Sequence, residues 1–200
     1  MKITNLFDLN HTILKDYLLK YTYPWEILKD LNNIILTIGK TLPKEEYKEI
    51  SPNIWIHNTV ELYPTACIIP PVIIGENTEI RHSSYLRGNV IIGSNSVIGN
   101  SVEIKNSIIF DNVQIPHFNY VGDSILGYKT HLGAGVIISN QRLDKKEIII
   151  NNINSNLKKL GSLIGDYSEI GCNSVINPGT ILNKNTKILP LSSIFNKINF

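Results

Sequence analysis

Large apolar residues recur at every sixth position through the middle of this chain: Ile56, Leu62, Ile68, Ile74, Ile80, Leu86, Ile92, Ile98, Ile104 and Phe110. Four residues after the first nine stand Val60, Ala66, Val72, Thr78, Ser84, Val90, Ser96, Val102 and Ile108, nearly all small or β-branched. The pattern resumes after Gly161 as Ile164, Ile170, Ile176, Leu182 and Ile188, with Ser168, Ser174, Thr180 and Thr186 alongside. A shorter stretch, Leu126, Leu132 and Ile138, lies between. Period six matches neither a helix nor a long alternating strand, but it matches short strands separated by regular corners. Three such strands close one triangular turn of 18 residues, with the large residue inside and the small one near a corner. Gly75, Gly93, Gly99, Gly165 and Gly171 are expected to supply permissive backbone. The fold class this predicts is mainly β, a parallel β-helix of hexapeptide repeats. Periodicity leaves its hand open.

Composition agrees. The 200 residues include 35 Ile and 24 Asn but only two Ala, Ala66 and Ala134, which argues against a helical bundle or an Ala-rich doubly wound sheet. Asn also tolerates tight turns. A net charge of +2 without a Lys/Arg block of five or more points away from nucleic acid. Cys67 and Cys172 form no CxxC, so neither a disulfide framework nor a zinc site is indicated and a reduced compartment fits. The amino terminus has polar interruptions, and no run of 18 apolar residues occurs, so the expectation is a cytoplasmic protein with no membrane partner.

Residues 1–50 lack the period. Pro24 stands at a first helical position before an apolar pattern that stops near Gly39, and an earlier helix is expected around Asn10 to Lys20. This segment is read as a helical arm or cap against one end of the prism, with the β-helix occupying 51–200. Two interruptions break the lattice. From a Pro116 slot to Leu126 is ten residues, so His117–Asp123 should protrude. An insertion spans about 139–160, carrying Asn140, Gln141, Arg142, Lys145 and Lys146 around an Ile148-Ile149-Ile150 strand. Long loops in compact domains are usually functional or disordered.

If slot residues point inward, their neighbours point out. Arg87 and Lys105 both follow a slot and lie 18 residues apart, so they should stack on successive turns. Adjacent cations repel unless an acid or anion lies between them, and a phosphate is an attractive candidate. The plainer reading is two solvated cations with Glu103 nearby. His117 sits where the lattice breaks, beside Asn119, Tyr120 and Asp123, and a neutral imidazole can take a proton at physiological pH. The plainer readings are a structural histidine and, for Tyr120, edge packing.

The stretches Asn100–Asn106, Pro116-His-Phe-Asn-Tyr-Val-Gly-Asp123, Leu132-Gly-Ala-Gly135 and Asn140 resemble the acetyltransferase domain of the bifunctional sugar-1-phosphate nucleotidylyltransferase/N-acetyltransferases, which make UDP-N-acetylglucosamine. The Tyr23-Pro-Trp25 segment, Leu157–Gly161 and Asn177-Pro-Gly179 look like the archaeal type. The resemblance covers about residues 23–190 and implies a left-handed β-helix and a homotrimer with sites between prisms. It implies acetyl-CoA as cosubstrate, an amino-sugar 1-phosphate as acceptor and no metal. His117 matches the general base, and Arg87 and Lys105 match residues holding the sugar phosphate. Tyr120, His131, Asn140 and Lys146 match substrate contacts. Ala134 matches the backbone N–H facing the acetyl carbonyl, and Cys172 and Pro190 fall on the coenzyme side.

Departures accompany the match. His131 stands where bacterial members often have Asn, Cys172 where Ser is common, and the sequence given ends at Phe200 without the longer basic tail of some members. No Gly-rich nucleotide loop occurs in residues 1–50, so uridylyl transfer is not expected of them. A non-catalytic trimeric scaffold or sugar-nucleotide-binding subunit is the alternative. A β-helical carbonic anhydrase would need a third histidine shortly after His117, and none stands there.

Overall fold

The computed structural model describes residues 2–195, which wind into a left-handed parallel β-helix; the end at Phe200 lies outside them. Three sheets form the walls of a triangular prism. The first face stacks Tyr47–Ser51, Ile54–His57, Val72–Ile74, Val90–Ile92, Ser107–Ile109, Ile125–Leu126, Ser162–Ile164 and Thr180–Leu182. The second stacks Glu61–Leu62, Glu79–Ile80, Val97–Asn100, Gln114–His117, His131–Leu132, Glu169–Ile170 and Lys187–Ile188. The third stacks Cys67–Ile69, Tyr85–Arg87, Glu103–Lys105, Tyr120–Gly122, Ile137–Ile138, Val175–Ile176 and Ser193–Ile194. Pairing is parallel throughout these walls except for Tyr47–Ser51, which runs antiparallel to Ile54–His57 and puts Lys48 and Glu49 on the outer edge.

The slots fill the prism as the period predicts, except that two corners are each one residue short. On the third wall Ile68, Leu86, Ile104, Val121, Ile138 and Ile176 stand in register. On the first wall the interior residue after Ile92 is Ile109, not Phe110, and the small position is Ser107, not Ile108. One residue is missing from the corner at Asn106, and another from the corner at Asp123. Ile92 therefore pairs with Ile109, and Ile109 with Leu126, at separations of 17 instead of 18 residues. The preceding turn rounds this corner with two left-handed residues, Gly88 (φ 75°) and Asn89 (φ 51°), whereas Asn106 (φ 46°) and Asp123 (φ 49°) each do it alone.

These two short steps remove the expected protrusion. Ile115 and Val121 fill interior slots, Pro116 does not, and His117–Asp123 stays on the wall. The insertion at 139–160 does leave the lattice, as a hairpin of Ile149–Ile150 and Ile153–Asn154. The glycines act differently from expectation. Gly75, Gly93, Gly99, Gly165 and Gly171 are not left-handed; the left-handed corners belong mostly to Asn, as at Asn77, Asn95, Asn112, Asn173 and Asn185. These glycines lie where the next turn passes too close for a side chain. A Cβ on Gly93 would sit 2.6 Å from the Asp111 nitrogen, and one on Gly99 would overlap the Pro116 carbonyl.

The amino-terminal segment covers a face of the prism, not its end. The triplets Val72-Ile73-Ile74 and Val90-Ile91-Ile92 turn their outer residues into a second apolar ladder of Trp55, Ile73, Ile91, Ile108, Ile125, Leu163 and Ile181. Against it pack Leu6, Phe7, Leu14, Leu18, Trp25, Ile27, Leu31 and Ile35, together with Phe110 and the insertion's Ile148, Ile150 and Leu160. Helical structure here is brief. The expected helix around Asn10 to Lys20 shrinks to a 3-10 turn, Leu9–His11, and the α-helix Lys15–Leu18. Pro24 opens the 3-10 helix Pro24–Lys29, followed by the α-helix Leu31–Gly39.

Polar anchors fix the segment. Asp166, fully buried, accepts the Asp8 N–H at 2.6 Å and the Tyr128 N–H at 2.9 Å and pairs with Lys184 at 2.8 Å. The His11 ring stacks on Tyr128 with centroids 3.5 Å apart. Phe110 and Phe7 meet at 5.2 Å between centroids. Phe110→Ala should therefore cost about 3–5 kcal/mol in urea unfolding, as a buried aromatic does; a loss below about 1 kcal/mol would remove Phe110 from the core.

Candidate active site

Each turn of the coil returns to the same corner about 4.8 Å further along. Where the second face meets the third, backbone hydrogen bonds tie successive turns: Gly135 N–H donates to the His117 carbonyl at 3.0 Å, Asn173 N–H to Ala134 at 2.9 Å, and Leu191 N–H to Cys172 at 2.9 Å. His117, Ala134, Cys172 and Pro190 consequently stand in one column, each just before the residue that turns the corner. Asn100 and His82 continue it, accepting from the Phe118 and Ser101 N–H groups.

Asn119 organises the corner from within. Only 2% exposed, it accepts the His117 N–H at 3.1 Å and donates to the Gly133 carbonyl at 2.8 Å, so one side chain links two turns of the column. The His117 ring is exposed, tilted against Phe118 with centroids 6.4 Å apart. A turn closed by Val136 N–H onto the Gly133 carbonyl presents Ala134, whose own N–H meets no acceptor among the described residues.

A second cluster lies where the third face meets the first. Pairing of Tyr85 with Glu103 and Leu86 with Ile104 sets Lys105 beside Arg87, the stacking the spacing predicts. Each cation has its own carboxylate. Arg87 Nη1 lies 2.6 Å from Glu103 Oε1, which raises the guanidinium pKa, and Lys105 Nζ lies 3.4 Å from Asp123 Oδ2. Asp123, 5% exposed, also accepts the Asn106 amide at 2.8 Å and the Asn140 amide at 2.5 Å. That Asn140 Nδ2 is also 3.1 Å from the Tyr120 hydroxyl. Burial, and then the Asp123 charge, push the Tyr120 pKa up, so the phenol keeps its proton at neutral pH. The insertion leaves and rejoins the wall here: Leu160 N–H donates to the Asn140 carbonyl and Gly161 N–H to the Asp123 carbonyl, both at 2.9 Å.

Sequence reasoning brought out Arg87, Lys105, Tyr120 and Asn140 but assigned no role to Asp123 or Asn106. The available signal was a carboxylate at a corner where the neighbouring turns carry Asn89 and Asn106. Two named residues lie apart from both clusters. His131 is exposed on the second face, between Gln114 and Glu169 in the register. Lys146 is exposed on the insertion, its N–H 3.2 Å from Asp144 Oδ1. Beside Asn140, a hollow of about 640 Å³ opens between the insertion and the last turns, lined by Ser139, Gln141, Arg142, Ile148, Asn177 and Phe195 among others.

A family model described as the GMPPB C-terminal domain matches residues 68–154. A bifunctional protein GlmU of Methanococcus maripaludis is 35% identical over 182 residues, 88% of this chain and 44% of that protein. A bifunctional sugar-1-phosphate nucleotidylyltransferase/acetyltransferase of Sulfurisphaera tokodaii is 33% identical over 177 residues, 84% of this chain and 43% of that one. The chain thus spans less than half the length of these curated relatives. Among solved structures, the acetyltransferase domain of PglB from Neisseria gonorrhoeae FA1090 in complex with acetyl coenzyme A aligns at 15% identity and a TM-score of 0.37, over 76% of this chain and 63% of that one. That likeness is too distant to bear on individual residues. Fold and repeat define a hexapeptide left-handed β-helix. Within that class the sequence likeness, over 84–88% of this chain, is to GlmU-like proteins and supports an acetyltransferase domain of that type.

Asn119→Ala should take one of two donors from the buried Gly133 carbonyl and free the His117 amide, costing roughly 1–3 kcal/mol. Thermal unfolding would register that loss, and amide exchange should accelerate at His117; unchanged exchange there would contradict the bracing role.

Proposed function

We propose that this chain is an acetyl-CoA-dependent N-acetyltransferase acting on an amino-sugar 1-phosphate, with glucosamine 1-phosphate the first acceptor to test. The observation that carries the reading is the corner column, in which an exposed imidazole stands one turn from an N–H without an acceptor among the described residues. The name of the Sulfurisphaera tokodaii relative, which pairs sugar-1-phosphate chemistry with acetyl transfer, supports the substrate class.

His117 takes a proton from the acceptor amine as its nitrogen attacks the thioester carbonyl. The new C–N bond forms, the C–S bond breaks, and coenzyme A leaves as a thiol carrying the proton that His117 took from the amine. The Ala134 N–H stabilises the oxyanion that develops in between. Cys172 and Pro190, further along the column, lie along the coenzyme. Arg87 and Lys105 exchange their carboxylate partners for the sugar phosphate, Tyr120 and Asn140 contact the sugar, and His131 and Lys146 approach it from another copy. No step calls for a metal. The protein acts in the cytoplasm as a homotrimer, which the exposed Tyr85, Ile137 and Val175 of the third face support as packing surface. Among the described residues no helix is long and apolar enough to cross a membrane.

Incubation with acetyl-CoA and glucosamine 1-phosphate should give the N-acetylated sugar phosphate by mass detection. His117→Ala should lower the rate about a hundredfold or more while leaving thermal stability and oligomeric mass unchanged. Full activity in that variant, or no product from the natural chain with several amino-sugar phosphates, would sink the assignment.

A further inference from the structure

We propose that Asp123 is a positioning residue that sets the direction of the hydrogen bonds around Tyr120, so that the Tyr120 hydroxyl faces the bound sugar phosphate as a donor. This rests on the acetyltransferase reading and adds to it a residue that would not itself touch substrate.

The geometry supplies the chain of reasoning. An ionised carboxylate only accepts hydrogen bonds, so whatever faces it must turn a donor inward. Asn106 and Asn140 both present their NH2 groups to Asp123, at 2.8 and 2.5 Å, and Lys105 presents its ammonium at 3.4 Å. With the Asn140 amide fixed in that sense, its Nδ2 also donates to the Tyr120 oxygen at 3.1 Å. A phenol has a single proton, and an oxygen that already accepts from Asn140 has that proton left for a different partner. A group that offers only donors fits an anionic, oxygen-rich ligand such as a sugar phosphate.

Corner geometry alone does not call for a carboxylate. Asn89 and Asn106 hold the same left-handed turn at φ 51° and 46°, against 49° for Asp123. A main-chain tie to the insertion, from the Gly161 N–H to the Asp123 carbonyl, would survive a side-chain exchange. The turn thus does not use the carboxylate, and the insertion meets it through the Asn140 side chain. Replaced by an amide, it would set one NH2 against that of Asn106 or Asn140 and would no longer force the Asn140 orientation; a flipped Asn140 would aim an acceptor at Tyr120 and capture its proton.

Asp123→Asn tests this on the full chain. The KM for glucosamine 1-phosphate should rise about tenfold, the scale of one well-placed hydrogen bond to a charged ligand, with the acetyl-CoA KM and the melting temperature unchanged. Because the effect passes through the Tyr120 hydroxyl, the same substitution in a Tyr120→Phe background should add less than about twofold. A purely structural role would lower the melting temperature, shift both KM values and act equally in both backgrounds, and that pattern would overturn the proposal. Calorimetric binding of glucosamine 1-phosphate separates the two readings. A chain that binds it without acetylating it loses the assigned activity, and the coupling of Asp123 to Tyr120 in Kd still decides this point. A chain that acetylates with an unchanged sugar-phosphate KM in Asp123→Asn keeps the activity and loses this role, and a chain that binds no glucosamine 1-phosphate loses both.

Discussion

Every part of this molecule depends on successive turns staying in phase. A parallel coil gains its interior only if each apolar slot lands on the slot of the turn before, because a slip of one residue turns a buried side chain to the opposite side of the wall. The chain drops one residue at Asn106 and again at Asp123, at the same corner on consecutive turns. Since both omissions fall in one column, the walls on either side remain straight. The Asn106 amide then reaches the Asp123 carboxylate, so the defect in period and the polar cluster share one origin.

The same wall geometry explains the second core. A face whose residues are apolar on both sides must be covered on both sides, as in buried parallel sheets generally. Here the cover is the amino-terminal segment, short in regular helix but rich in large side chains, fastened by the buried Asp166. Three hydrogen-bonding partners around Asp166 meet the demand of a buried charge. The fold is a prism with a plated side, and the insertion adds Ile148, Ile150 and Leu160 to the same plate.

Much of this was legible in the sequence. The period identified the coil, the interior ladder and the stacking of Lys105 beside Arg87, because a side chain's direction in a repeating strand follows from its count. The count misleads where a corner shortens: it puts Phe110 in an interior slot, Ile108 at a corner position and His117–Asp123 off the lattice, since nothing in Lys105-Asn106-Ser107 announces a single left-handed residue doing the work of two. The side of the prism met by residues 1–50 was legible only in retrospect, from apolar middle residues such as Ile73 and Ile91. Of the site, single residues could be named from a resemblance, but their grouping into a corner column and a separate carboxylate-centred cluster is a three-dimensional fact. Asp123 escaped notice because its importance lies in what it forces upon Asn140 and Tyr120, which no spacing encodes.

Plating one wall also decides which edge of the prism is free. A triangular section has one vertex opposite any side, and the vertex opposite the covered wall is the one bearing His117, Ala134, Cys172 and Pro190. The cluster around Asp123 lies instead at a vertex that borders the cover, where Asn32 of the amino-terminal segment reaches Asn89. The molecule therefore has a keel and a hull: one exposed ridge that other molecules can straddle from both flanks, and a broad sheathed side opposite it.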